Sequence, residues 1–183
     1  FHNIHNSGER LLRLVNNLLD LSKLEAGKME FHFTYNDFAK CVQQVQTEIQ
    51  SLLSEKGLNL KYVTKLSNSN FIFDQGTIIQ VLINIISNAI KFAPNNSDIT
   101  LQTSDYTLTY KQQTFPAVLI EIKDQGIGIP EDELALVFDK FTQSSKTNKG
   151  SGGTGLGLSI AHSIVTAHKG RIWAENAEDQ GAV

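Results

Sequence analysis

Cysteine is nearly absent from this chain. Cys41 stands alone, so no internal disulfide can form, and the composition fits a reducing, cytoplasmic compartment. Within the helix expected there it reads as a small core residue. Positive charge is not in excess either: 16 Lys and Arg stand against 19 Asp and Glu, a net charge of −3. That balance gives no electrostatic support for binding nucleic acid. No apolar run is long and clean enough to span a bilayer, since the best one is broken by Gln80 and Asn84. A signal peptide is also missing. What is present, 40% hydrophobic and 19% charged over 183 residues, suits one good-sized globular domain with a real core. The chain starts abruptly inside a helical pattern and stops at Gly181–Val183, which reads as the first residues of a strand cut short. It is therefore read as a fragment, which leaves open a membrane anchor in the parent protein.

Proline is scarce, and the first one is Pro94. Upstream of it, from about Asp74, runs a segment carrying Ile78, Ile79, Val81, Leu82, Ile83, Ile85, Ile86 and Ile90. It is too long for a buried strand, so the expectation is a helix capped by Asp74 and buried on several sides. One polar stripe interrupts it at helical steps: Thr77, Gln80, Asn84, Asn88 and Lys91. Amides and an ammonium on a buried helix need polar partners. Either they bond to neighbouring loops, or they line a cavity that holds something anionic.

Before this helix, residues 1–26 place Ile4, Leu11, Leu14, Leu18 and Leu21 on a heptad stripe widened by Leu12, Val15, Leu19 and Leu24. Such a helix needs a partner helix, in a bundle or a dimer, and Gly27 closes it. Met29–Tyr35 alternates polar and aromatic residues, as a half-buried strand would. Asp37 caps a helix to about Glu55 with Phe38, Val42, Val45, Ile49 and Leu52 inward, ended by Gly57. Strands are expected at Leu58–Val63 and Phe71–Phe73, then at Asp98–Tyr110 and Ala117–Lys123 around a turn at Gln112. A short helix at Glu131–Val137, a surface loop at Thr142–Thr154, a helix at Gly155–His168 and a strand at Arg171–Glu175 complete the order. Helices covering one face of a sheet give an α+β layered fold.

Two glycine clusters accompany the polar stripe. Asp124, Gly126 and Gly128 put a carboxylate at a strand end beside glycines that let a ligand approach the backbone. Ser151–Gly157 places glycines at a helix start, where free amides and the dipole favour phosphate. Alone, the first cluster reads more readily as a turn, and the second could be a flexible linker, although linkers do not usually run straight into a helix such as the one that starts at Leu158. Neither a Walker lysine nor a preceding strand–helix–strand context is present. Phe138 and Phe141 flank the loop.

Taken in order, these elements resemble the catalytic ATP-binding domain of sensor histidine kinases, in the ATPase superfamily shared with gyrase, the MutL repair proteins and the heat-shock chaperones. Asn84, Asn88, Ala89, Lys91 and Phe92 match the N box. Asp124, Gly126, Gly128, Ile129 and Pro130 match the G1 box, Phe138–Phe141 the F box, and Gly153, Thr154, Gly155, Leu156 and Gly157 the G2 box. Leu18–Gly27 resembles the end of the second dimerisation helix. The resemblance implies a two-layer α/β sandwich at residues 29–183, preceded at residues 1–28 by the last part of a dimerisation hairpin. It implies ATP and Mg²⁺ as cofactors, a homodimer and a response regulator receiver domain as partners, and no nucleic acid. Asp124 would accept the adenine amino group, and Asn84 would ligate Mg²⁺. Asn88 and Lys91 would meet the phosphates, Phe92 would pack on the purine, and Gly153–Gly157 would wrap the phosphates as a lid.

The match has gaps. The helix that carries the phosphoacceptor histidine in this family is missing, and neither His2 nor His5 has the acidic neighbour it requires, so no catalytic residue is assigned in this chain. Thr77 and Ile78 stand where a basic residue is frequent. A degenerate scaffold and a serine-kinase relative are the alternatives, and the intact Asn84, Lys91 and Asp124 argue against the first.

Overall fold

The computed structural model describes residues 2–142, 145 and 154–183; the side chains of residues 2–7, 9, 10, 13 and 110 also lie outside it. The expectations for Ile4, His2 and His5, for Gly153, and for most of the Thr142–Thr154 loop therefore fall outside the described residues.

The elements are α1 (His2–Glu25), β1 (Thr34–Asp37), α2 (Phe38–Lys56), β2 (Asn59–Lys65), β3 (Asn70–Phe73), α3 (Gln75–Phe92), β4 (Asp98–Tyr110), β5 (Gln113–Lys123) and α4 (Gly157–Ala167). Among the described residues, β2 lies parallel to β4, β4 lies antiparallel to β5, and β1 and β3 form a separate antiparallel ribbon. The sheet is thus mixed, with helices packed against it, as the α+β expectation requires.

Local chemistry explains most boundaries. Asp37 caps α2 by accepting from the Ala39 N–H, and Gly57 ends that helix in the left-handed region at φ 65°, as read from the sequence. Asp74 caps α3 by accepting from the Thr77 N–H. The turn between β4 and β5 holds Lys111 and Gln112 at φ 48° and 64°, the mirror-image conformation that matches strand twist in two-residue hairpins.

The middle helix is α3. One flank puts Ile79, Leu82, Ile86, Ala89 and Ile90 into the main core with Phe38, Val42, Val45 and Ile49 of α2 and with Ile99, Leu101 and Ile122 of the sheet. The opposite flank puts Val81 into a second cluster with Leu21 of α1 and with Leu156, Ile160 and Ile164. Burying each large aliphatic side chain contributes roughly 1.5–3 kcal/mol, so this double burial is what fixes α3 in place. Cys41 is fully buried in the main core, and burial pushes its thiol up to about 11.

Five expectations need correction. Residues 29–33 form no ladder: Phe31 and Phe33 stack on each other and edge against the His168 ring, and pairing begins at Thr34. Leu52 is 40% exposed and Leu53 takes the inward position, because the stripe drifts by one residue along the last turn of α2. Residues 113–116 join β5, since Pro116 is tolerated on an edge strand. Residues 131–139 are not an α-helix; amides of Glu133, Leu136 and Asp139 each bond to the carbonyl three residues back, giving successive tight turns. Finally, residues 171–175 form no extended ladder, and only Glu175 exchanges a pair of bonds with Val183. Among the described residues, no helix is long and apolar enough to cross a membrane.

Candidate nucleotide site

The polar stripe of α3 divides along its length. Thr77 belongs to the cap, its N–H and hydroxyl both donating to Asp74 Oδ1 at 2.9 and 3.0 Å. Gln80 reaches sideways to Asp20 of α1 at 2.9 Å and ties the long helix to the domain. Asn84 Nδ2 donates to the Gly157 carbonyl at 3.1 Å, linking α3 to the start of α4. Asn88 and Lys91, further along the same face, line a cavity of about 890 Å³. The stripe thus bonds to neighbouring elements at Thr77, Gln80 and Asn84 and faces a cavity at Asn84, Asn88 and Lys91.

That cavity collects most of the residues singled out in the sequence. Its wall includes Asn84, Asn88, Lys91 and Phe92 from α3, Asp124, Gly128 and Ile129 from the turn after β5, and Thr154, Gly155 and Gly157 at the entrance to α4. It continues between β5 and residues 171–175. Three others stand off the wall. Leu156 is fully buried in the second core cluster, where it anchors the base of the loop. Phe141 is 63% exposed, at φ 61°, and its N–H donates to the Gly155 carbonyl at 2.9 Å. Gly126 lies beneath the wall, where a Cβ would come within 2.9 Å of both Asp124 Oδ1 and the Phe92 carbonyl oxygen. Glycine is needed there because the end of α3 and the Asp124 turn are in direct contact.

Electrostatics divide the cavity into two ends. Asp124 Oδ1 accepts from the Gly126 N–H at 2.8 Å and the Ala182 N–H at 3.2 Å, while Oδ2 has no partner among the described residues. Burial pushes this carboxyl above its ordinary value, more than those two hydrogen bonds pull it down. At the other end, no side chain caps α4, so the amides of its first turn are available to an anion. Lys91 Nζ sits 4.7 Å from the Phe92 ring centroid. One end thus offers a carboxylate acceptor and the other the amides of a helix start, while the Asn88 carboxamide and the Lys91 ammonium stand on the wall that α3 contributes. An adenine amino group and a chain of phosphates have that same distribution of donors and negative charge.

Comparison with known proteins agrees. Residues 73–183 match the family described as histidine kinase-, DNA gyrase B- and HSP90-like ATPase. The chain belongs to this ATPase family. It is 35% identical over 179 residues to the sensor histidine kinase WalK of Bacillus subtilis (strain 168), covering 96% of this chain and 28% of that protein. It is also 35% identical over 174 residues to hybrid signal transduction histidine kinase D of Dictyostelium discoideum, covering 94% of this chain and 11% of that one. The chain thus spans well under half the length of these relatives. Among solved structures, full-length ShkA in complex with AMPPNP superposes with a TM-score of 0.79 at 26% identity, over 99% of this chain and 36% of that one. Histidine kinase ThkA in complex with the response regulator TrrA superposes at 0.72 and 25% identity, over 98% and 47%. The histidine kinase-type ATPase fold read from the sequence is therefore the fold observed.

Sequence reasoning missed two participants. Asn176 pairs with both backbone groups of Ile129, and His168 accepts from the Asp74 N–H at 3.1 Å. Each lies tens of residues from its partner, and no local pattern announces either contact.

Proposed function

We propose that this chain is the ATP-binding catalytic core of a two-component sensor histidine kinase that works in the cytoplasm. The carrying observation is the joining of Asp124, Asn84, Asn88, Lys91 and the uncapped start of α4 around one cavity. In this reading Asp124 Oδ2 accepts the adenine amino group and Phe92 packs on the purine. Lys91, Asn88 and the Gly153–Gly157 amides hold the phosphates. Asn84 would hold Mg²⁺: with Nδ2 committed to Gly157, its carbonyl oxygen, which has no hydrogen-bond partner among the described residues, is the type of ligand that Mg²⁺ prefers, phosphate and water oxygens completing the shell. The γ-phosphoryl group passes to an imidazole nitrogen on another helix, ADP departs, and the phosphoryl group moves on to an aspartate of a response regulator. Such transfer depends on positioning and charge stabilisation more than on covalent participation by the protein.

Residues 1–28 would be the end of the dimerisation domain and 29–183 the catalytic domain. Leu11, Leu12, Val15, Leu18 and Leu19 are each about half or more exposed along one face of α1, which supports pairing with helices of a homodimer. The AMPPNP and response-regulator complexes of the structural neighbours support the ligand and partner assignments. The test is incubation with γ-labelled ATP, alone and with a separate polypeptide carrying a phosphoacceptor helix. Acid-labile label should appear on the added polypeptide and not on this chain. Label on any of its own five histidines, or no transfer at all, contradicts the reading.

A further inference from the structure

The turn that carries Asp124 and Ile129 is held at both of its ends by one small element. Asp124 exchanges hydrogen bonds with Ala182: its N–H donates to the Ala182 carbonyl at 3.0 Å, and its Oδ1 accepts from the Ala182 N–H at 3.2 Å. Ala182 in turn forms an antiparallel bridge with Asn176. The Asn176 side chain closes the loop, its Nδ2 donating to the Ile129 carbonyl at 2.7 Å and its Oδ1 accepting from the Ile129 N–H at 2.8 Å. A carboxamide thus satisfies both backbone groups of one residue, as a neighbouring strand would. Between these anchors Gly128 sits at φ 67°, and a Cβ there would come within 2.9 Å of Asn176 Oδ1. The glycine lets the turn lie directly against the amide.

We propose that Asn176 is a positioning residue for the base end of the nucleotide site, setting the span between Asp124 and Ile129 across which the purine sits. The inference rests on the nucleotide reading above. Asn176 does not line the cavity; it acts through Ile129, which does. Only a side chain with a donor and an acceptor side by side can make this clamp. An ionised aspartate of the same shape keeps the bond from the Ile129 N–H but sets a carboxylate oxygen against the Ile129 carbonyl. The phosphate end, built on α3 and α4, has no hydrogen bond to Asn176 among the described residues.

Asn176→Ala and Asn176→Asp, each checked for folding by thermal unfolding, separate a positioning role from a merely structural one. Calorimetric titration with ATP, with and without Mg²⁺, should show affinity reduced about tenfold in both variants, the size expected from two solvent-accessible hydrogen bonds. The factor by which Mg²⁺ strengthens binding should stay as in the unaltered chain, and discrimination between ATP and GTP should narrow. Unchanged affinity in either folded variant overturns the inference. So does a loss confined to the Mg²⁺ enhancement, and so does failure of both variants to fold, which would make Asn176 a stability residue. No ATP binding by the unaltered chain would overturn the nucleotide reading itself, and this inference with it.

Discussion

Changing Asp124 to asparagine alters one atom, and the structure says which one. Oδ1 is held by two donors, the amides of Gly126 and Ala182. The asparagine carbonyl must stay on those donors, which turns its NH₂ to the position of Oδ2, the atom assigned to the adenine amino group. Two N–H donors then face each other. Losing a charge-assisted hydrogen bond costs about 1.5–3 kcal/mol, so ATP and ADP affinity should fall roughly 10- to 150-fold. Stability should move the other way. Burial raises the Asp124 carboxyl, so the folded chain binds this proton more tightly than the unfolded one. The fold therefore gains stability as pH drops through that raised value and is weakened by the charge above it, a penalty the amide escapes. Calorimetric titration and thermal unfolding at pH 7 check both halves. In the unaltered chain, acidification should weaken ATP binding before ordinary carboxylates titrate; the variant should keep only the weaker dependence that comes from protonation of the phosphates themselves. Unchanged affinity at pH 7, with the fold retained, would refute the assignment of Asp124 to the base.

Asn84→Ala should abolish the Mg²⁺ enhancement of ATP binding while a metal-free component remains, as read by titration with and without Mg²⁺. Gly155→Ala should distort the entrance to α4: Gly155 sits at φ 68°, and a Cβ there would lie 2.8 Å from the Phe141 backbone. Strain of about 1–2 kcal/mol plus that clash should weaken ATP binding and leave the main core melting as before. Asp74→Ala should lower unfolding stability by about 2–4 kcal/mol at pH 7, since it removes the α3 cap and leaves the His32 N–H without its 2.6 Å acceptor. Burial raises the Asp74 carboxyl, but bonds from Thr77 and His32, with His168 nearby, outweigh it and hold it below its ordinary value. Its stabilisation is therefore present above the unfolded value and lost as pH falls through the folded one, so denaturant curves of variant and parent should converge in acid.

The legible parts of the molecule were those set by local chemistry. Asp37 and Asp74 announce helix starts, Gly57 announces an end, and the isoleucine-rich run announces a helix buried on more than one side. The cavity was legible because its residues recur at helical spacing on α3 and as glycine clusters at element ends. What escaped was decided across the chain. The alternation of residues 29–35 is real, yet Phe31 and Phe33 satisfy it on the His168 ring, far along the sequence. The acidic stretch 131–133 looks like a helix start, but its amides close three-residue turns after Pro130. Lys56 could not have been picked from its neighbours: its ammonium caps α3, donating to the carbonyls of Ile90 and Lys91 at 2.8 Å and thereby holding the end that presents Lys91 and Phe92.

The most direct test of the central claim compares ATP with GTP by calorimetric titration of the unaltered chain in Mg²⁺. Asp124 Oδ2 can accept from the adenine amino group, whereas guanine turns a carbonyl oxygen toward the same carboxylate. The account predicts that ATP binds and that GTP binds far more weakly, with the preference lost in Asp124→Asn. Equal affinity for the two nucleotides, or no binding of either, would contradict it.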